Sequence, residues 1–277
     1  MVVPFPDAPS RLVTSRDGTG IAVFSAGHGL ALLLVHGTSA DHRTWLVVAP
    51  GLAGRRRVHA LDRRGRGDSG DGAAYTIERE LEDVAAVVDA LADEAGGTLD
   101  VVGHSLGGRI ALGASLMTRN IRRVVAYESA PGARDASGRK DDEEILRRLR
   151  ADPATGDLDG LLARFMTNAV GMPAAELSAF HADPIWARRA AAGPTIVREL
   201  DAAFHAPAIA ADALALVTVP VLQMTGSLSA AWFQDGASAL NARLAQGHLE
   251  VIEGARHAAH HAQPAEFLAH VGAFLAG

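Results

Sequence analysis

Cysteine is absent from this 277-residue chain. That removes disulfides, thiolate zinc sites, iron–sulfur clusters and a cysteine nucleophile from consideration. Lysine is nearly absent too: Lys140 stands alone among many arginines. Positive charge does not dominate, since the formal net charge is −6 at pH 7, so no broad basic face for nucleic acid is expected. The runs Arg55-Arg56-Arg57 and Arg63-Arg64 are the local exceptions. Met1 to Arg11 lacks a basic stretch followed by an apolar one, so no secretory signal is read there. The longest apolar run, near Leu30 to Val35, falls far short of the roughly 20 residues a membrane helix needs. The expectation is a soluble cytoplasmic protein, monomer or homodimer, with a small-molecule substrate and neither nucleic acid nor membrane as partner.

What is present is an ordinary globular composition, 48% hydrophobic and 21% charged. A chain of this length can bury roughly 75% of its unfolded surface and needs no metal or crosslink to fold. Short β-branched or Leu-rich runs alternate with helical periodicity, the pattern of a mostly parallel sheet covered on both faces. Strands are expected at Arg11–Ser15 and Ile21–Ser25, with Asp17-Gly18 turning between them. Further strands are expected at Ala31–Val35, Val58–Leu61, Leu99–Val102, Val124–Tyr127, Val221–Met224 and Leu249–Ile252. Leu81, Val84, Ala85, Val88 and Leu91 share one face of a helix over Thr76–Ala95, with Thr76 as N-cap and Gly96-Gly97 as stop. A last helix begins near Pro264.

The alternation breaks between Gly132 and about Leu216. Helix-like patches there (Asp141–Ala151, Leu158–Ala169, Ala174–Ala182, Thr195–His205) are punctuated by Pro153, Pro173, Pro184, Pro194 and Pro207. That is too long for a plain loop in a compact domain. It reads as a helical insertion over 133–216 within a core made of 1–132 and 217–277.

Gly103-His104-Ser105-Leu106-Gly107 matches G-x-S-x-G. Alone the motif is modest evidence, but here a strand runs into it and a helical stretch, Arg109–Leu116, runs out. A serine in so sharp a turn has strained backbone angles and needs small neighbours, which Gly103, Gly107 and Gly108 supply. The turn lifts the hydroxyl to the carboxyl ends of the strands, where open α/β sheets bind ligands. Free N–H groups of the next helix point at the same spot.

With these residues the chain resembles the α/β-hydrolase superfamily over nearly its whole length. The resemblance extends to Val35-His36-Gly37-Thr38 after the third strand and to Asp62, Arg64, Gly65, Gly67 and Ser69 after the fourth. It implies an eight-stranded α/β-hydrolase fold with a helical cap at the insertion. It also implies oxyanion N–H donors at Thr38 and Leu106. Family order is serine, acid, histidine, and His257, after the strand Leu249–Ile252, fits the base for Ser105, with His260 and His261 as rivals. A metal reading of His257, His260 and His261 lacks a nearby acidic ligand before Glu266, so no metal and no cofactor is expected.

The acid departs from the family pattern. Where aspartate commonly follows the seventh strand, the chain reads Gly226-Ser227-Leu228-Ser229. Some branches place the acid after the sixth strand, and Glu128 stands there. Asp235 is the alternative acid, and an ion pair with Arg256 is the alternative role for Glu128. The resemblance implies hydrolysis of a carboxylic ester or lactone through an acyl-enzyme, with C–C bond, thioester or perhydrolysis chemistry as alternatives on the same residues. A non-catalytic ligand-binding protein on this fold is the alternative of another class. Trp45, Phe165, Met166, Trp186 and Phe204 are candidate substrate contacts, alongside Met172, Phe180, Ile185 and Ile196, although at helical spacing such residues often form a core of their own. Few charges fall among them, so an uncharged, moderately bulky substrate is expected.

Overall fold

The computed structural model describes residues 5–129, 136–150 and 156–277. One sheet organises the chain, with strands β1 (Arg11–Thr14), β2 (Gly20–Gly27), β3 (Leu30–Val35), β4 (Arg56–Leu61), β5 (Leu99–His104), β6 (Ile121–Tyr127), β7 (Val221–Gly226) and β8 (Gly247–Ile252). Their spatial order is β1-β2-β4-β3-β5-β6-β7-β8. β1 pairs antiparallel with β2, and β2 antiparallel with β4; all other pairs are parallel. β3 is a continuous apolar run, and β5 and β7 are buried along their whole lengths, because both faces of the sheet are covered there.

The helices between β3 and β6 are α1 (Ala49–Ala53), α2 (Ile77–Ala95) and α3 (Leu106–Ala114). Thr76 caps α2 by accepting from the Arg79 amide, and Gly96 ends it at φ 68°, a left-handed conformation that glycine adopts without strain. Between β6 and β7 lie α4 (Ala136–Arg150), α5 (Leu158–Asn168), α6 (Ala174–His181), α7 (Ile185–Ala191), α8 (Gly193–His205) and α9 (Ala211–Leu214). Pro173 and Pro184 sit at the N-caps of α6 and α7, and Pro194 in the first turn of α8, where a missing N–H costs nothing. Pro153 and the expected boundary between residues 132 and 133 lie outside the described residues. α10 (Ala231–Asn241), α11 (Ala259–Ala262) and α12 (Pro264–Ala276) complete the fold.

Two apolar clusters cover the two faces of the sheet. Leu33, Val35, Val101 and Val124 pack on α2 and α3; Leu32, Leu34, Val102 and Val125 pack toward Trp45, Phe267 and Val271. A third cluster, around Leu162, Phe165, Trp186 and Ile196, belongs to the helices between β6 and β7. These helices are tied to the sheet by charge. Glu199 of α8 accepts a short hydrogen bond from Arg66 and lies 3.4 Å from Arg63. Arg63 also binds Glu80 of α2 at 2.5 Å, and Arg64 binds Asp83 at 2.6 Å. Arg63 and Arg64 therefore point inward, each about 1% exposed or less, instead of forming a surface basic run. No helix among the described residues is long and apolar enough to cross a membrane.

Candidate active site

Three residues other than glycine adopt positive φ among the described residues: Ser39 at 60°, Ser105 at 52° and Glu128 at 48°. All three follow the carboxyl ends of parallel strands, β3, β5 and β6. Such conformations cost about 1–3 kcal/mol each and persist only where the surroundings over-determine them. At Ser105 the surroundings are tight. Its amide donates to the Tyr127 carbonyl at 2.9 Å, and α3 begins at the next residue. A Cβ on Gly107 would lie 2.3 Å from the His36 carbonyl oxygen, and one on Gly103 would lie 2.4 Å from Gly108 Cα. Only glycine lets β5 and α3 close the turn this sharply.

The Ser105 side chain opens into a cavity of about 1010 Å³ that is also lined by Thr38, His104 and His257. Among the described residues neither the Thr38 amide nor the Leu106 amide donates a hydrogen bond to protein. Leu106 heads α3, where helix N–H groups have no partner within the helix.

His257 lies on the loop between β8 and α11. The loop is pinned from below: the Tyr127 hydroxyl donates to the Arg256 carbonyl, and His104 Nε2–H donates to the His257 carbonyl at 2.7 Å. His257 Nδ1 lies 2.7 Å from Glu128 Oε2, and the Phe233 ring stacks on the imidazole at 4.5 Å. Glu128 Oε1 accepts from the Gly226 amide at 2.9 Å, from Thr225 Oγ1 at 3.2 Å and from Ser229 Oγ. Burial pushes the Glu128 carboxyl up, but His257 and these donors outweigh it and hold it below the ordinary glutamate value. Ser229, which stands where the family commonly has aspartate, thus donates to the carboxylate that has moved one strand over. Asp235 is exposed on α10 and makes no hydrogen bond to His257. Arg256 pairs with Glu176 at 2.9 Å, not with Glu128.

His36, His104 and His260 are kept neutral by burial. Burial, then the charge of Arg63, lowers His36 to about 3. Its Nε2 accepts from the Arg63 amide at 3.0 Å and its Nδ1–H donates to the Gly37 carbonyl at 2.8 Å. Burial likewise drives His104 and His260 well below the ordinary histidine value. Among the described residues the group with metal-ligand proximity is Asp41, His42 and Asp62, whose donor atoms lie within 4.8 Å of one another. Asp62 is already engaged there, accepting from the His42 amide, from His42 Nδ1–H and from the Asp68 amide.

Of the candidate substrate contacts, Phe165, Met166, Met172, Phe180 and Ile185 line the cavity, and Ile196 does not. Trp45 does not: it is fully buried in the cluster beneath the sheet, its ring 5.1 Å from His260. Trp186 and Phe204 pack with the α5–α8 cluster, and neither lines the cavity. The premise of few charges also fails. Arg43, Arg66, Arg188, Arg189 and Arg256 all face the cavity, with Asp41, Asp68, Glu176 and Asp183. They come from segments far apart in the chain, and no local pattern marks them.

A family model described as the alpha/beta hydrolase family matches residues 32–270. The chain belongs to that family. An alpha/beta hydrolase of Sphaerobacter thermophilus is 30% identical, with a TM-score of 0.76 over 89% of this chain and 94% of that one. A pimeloyl-[acyl-carrier protein] methyl ester esterase of Neisseria meningitidis is 28% identical over 270 residues, 88% of this chain and 73% of that protein. A "probable oxidoreductase EphD" of Mycobacterium tuberculosis is 37% identical over 110 residues, 38% of this chain. This chain spans only 18% of the length of that relative.

Proposed function

We propose that this hydrolase cleaves carboxylic esters through an acyl-enzyme, with Ser105 as nucleophile, His257 as base and Glu128 as the acid that orients it. The observation that carries the reading is the 2.7 Å Glu128–His257 contact made through Nδ1, with Nε2 making no hydrogen bond among the described residues and both His257 and Ser105 lining one cavity. A carboxylate on Nδ1–H selects the tautomer whose other nitrogen accepts a proton. His257 Nε2 takes the Ser105 hydroxyl proton as Oγ bonds to the ester carbonyl carbon. The Thr38 and Leu106 amides meet the resulting oxyanion, each such donor being worth about 3–4 kcal/mol. Collapse expels the alkoxide, which leaves with the proton from His257. Water then repeats the sequence on the acyl-serine, releasing the acid and restoring Ser105.

Carboxylic ester is preferred as the bond because the Neisseria meningitidis relative is named a methyl ester esterase. A lactone is the cyclic case of the same chemistry. The helices between β6 and β7 would serve as the cap, since Phe165, Met166 and Phe180 reach the cavity from them. The test is turnover of short aryl esters by wild type and Ser105→Ala. Loss of turnover in a variant with an unchanged melting temperature is expected; rates like wild type in Ser105→Ala would end the reading.

A further inference from the structure

Four of the five cavity guanidiniums are spoken for. Arg43 pairs with Asp41 at 3.0 Å, Arg188 with Asp41 at 3.4 Å, and Arg256 with Glu176 at 2.9 Å; Arg66 binds Glu199. Arg189, on α7, is the exception: among the described residues no carboxylate lies within 4.0 Å of it. Asp41 and Asp183 are the acids whose charge it feels. Asp41 is already shared between Arg43 and Arg188, and Asp183 receives the Ile185 amide at 2.8 Å.

The side chain is nonetheless held in place. Nη2 donates to Thr44 Oγ1 at 3.1 Å, and the guanidinium lies 5.6 Å from the centroid of the Phe180 ring, whose negative face favours a cation. Thr44 Oγ1 is in turn 2.9 Å from His261 Nε2 and 3.3 Å from His260 Nε2. That is the only hydrogen bond the Arg189 side chain makes among the described residues, out of five N–H donors. Arg189 and Phe180 both line the cavity. A guanidinium fixed at one corner, with donors to spare in a cavity that Phe165, Met166 and Val170 also line, matches a planar carboxylate in geometry as well as charge.

Resting on the ester-hydrolase reading, we infer that Arg189 is a specificity residue for a substrate that carries a carboxylate in addition to its scissile ester. The substrate class is a carboxylate-bearing ester, such as a half-ester of a dicarboxylic acid, with an apolar spacer between the two groups. Burial lowers the affinity of Arg189 for its proton, and a bound carboxylate would restore the balance. His260 and His261 add no charge of their own beside Arg189: burial lowers both, His261 to about 4.

The experiment compares kcat/KM for aryl half-esters of straight-chain dicarboxylic acids with that for their neutral methyl-capped isosteres. It uses the whole protein as wild type, Arg189→Met, Arg189→Lys and Arg188→Met. Wild type is expected to favour the half-ester by about 10- to 100-fold at the best spacer length, mostly through KM. Arg189→Met should abolish that ratio, Arg189→Lys should restore part of it, and Arg188→Met should keep it. Equal rates for charged and neutral esters in wild type, or a preference that survives Arg189→Met, would overturn the inference while leaving ester hydrolysis intact. If no ester turns over and Ser105 resists a fluorophosphonate probe, the hydrolase reading itself fails and takes this inference with it.

Discussion

Two buried carboxylates in this molecule each hold a histidine through Nδ1, at 2.7 Å for Glu128–His257 and 2.8 Å for Asp62–His42. As bonds they are nearly identical. Their settings differ. The His42 side chain is 3% exposed, its ring stacked 3.5 Å from Phe24, and Asp62 spends its oxygens on the amides of His42 and Asp68. The His257 side chain is 13% exposed and lines the cavity beside a serine on a strained turn. One pair ties the loop after β4 to the segment after β3. The other leaves an imidazole on the wall of the cavity that Ser105 also lines. A carboxylate–imidazole contact is therefore no signature of catalysis on its own; the opening and the serine on a strained turn beside it make the difference.

The comparison breaks apart most visibly by removing one charge from each pair. Glu128→Gln is expected to lower kcat on an aryl ester roughly a thousandfold, with a smaller effect on stability. Asp62→Asn is expected to do the reverse, costing about 3 kcal/mol in urea unfolding while the folded fraction keeps kcat within severalfold. Moving the acid sharpens the point. Because Ser229 Oγ bonds Glu128 Oε1, a carboxylate at position 229 would start close to the imidazole, and Glu128→Gln with Ser229→Asp should recover at least about tenfold of the lost kcat. No recovery would mean that the β7 position cannot reach His257.

The pH dependence of stability separates the buried neutral histidines from both pairs. His36 falls from 6.5 to about 3 on folding, so between those values the unfolded chain binds the extra proton. Its contribution is complete above about 6.5 and is lost as pH falls toward about 3, with a slope of up to about 1.4 kcal/mol per pH unit. His36→Gln should flatten unfolding free energy against pH in that window; an unchanged slope would assign the acid sensitivity to other groups. The smallest effect expected is from Ser229→Ala. Losing one donor raises the Glu128 carboxyl, so the acid limb of the kcat profile should move upward, with kcat down a few fold.

Much of this was legible in the sequence, and the rest hid for physical reasons. Each of the eight strands announces itself by a β-branched or leucine run between turn residues, though the observed strands extend beyond several of these runs, as β5 reaches His104. Ser105 is marked by glycines that a close approach demands, and Glu128 by an acid that follows the apolar run Val124–Tyr127. α7 escaped because it is seven residues long, with only Trp186 and Ala190 buried, too short to show a period. Trp45 misled because a large aromatic in the segment after β3 looks the same in sequence whether it faces the pocket or the sheet. The charged wall of the cavity was invisible: Arg43, Arg66, Arg189 and Arg256 meet only when the helices fold over the strand ends.

The most direct test of the central claim is the rate at which a fluorophosphonate modifies Ser105, read by peptide mass spectrometry in wild type, Glu128→Gln and Asp62→Asn. Modification confined to Ser105, slowed at least tenfold in Glu128→Gln and little changed in Asp62→Asn, is the predicted result. Modification at another residue, or equal slowing in both variants, would contradict it.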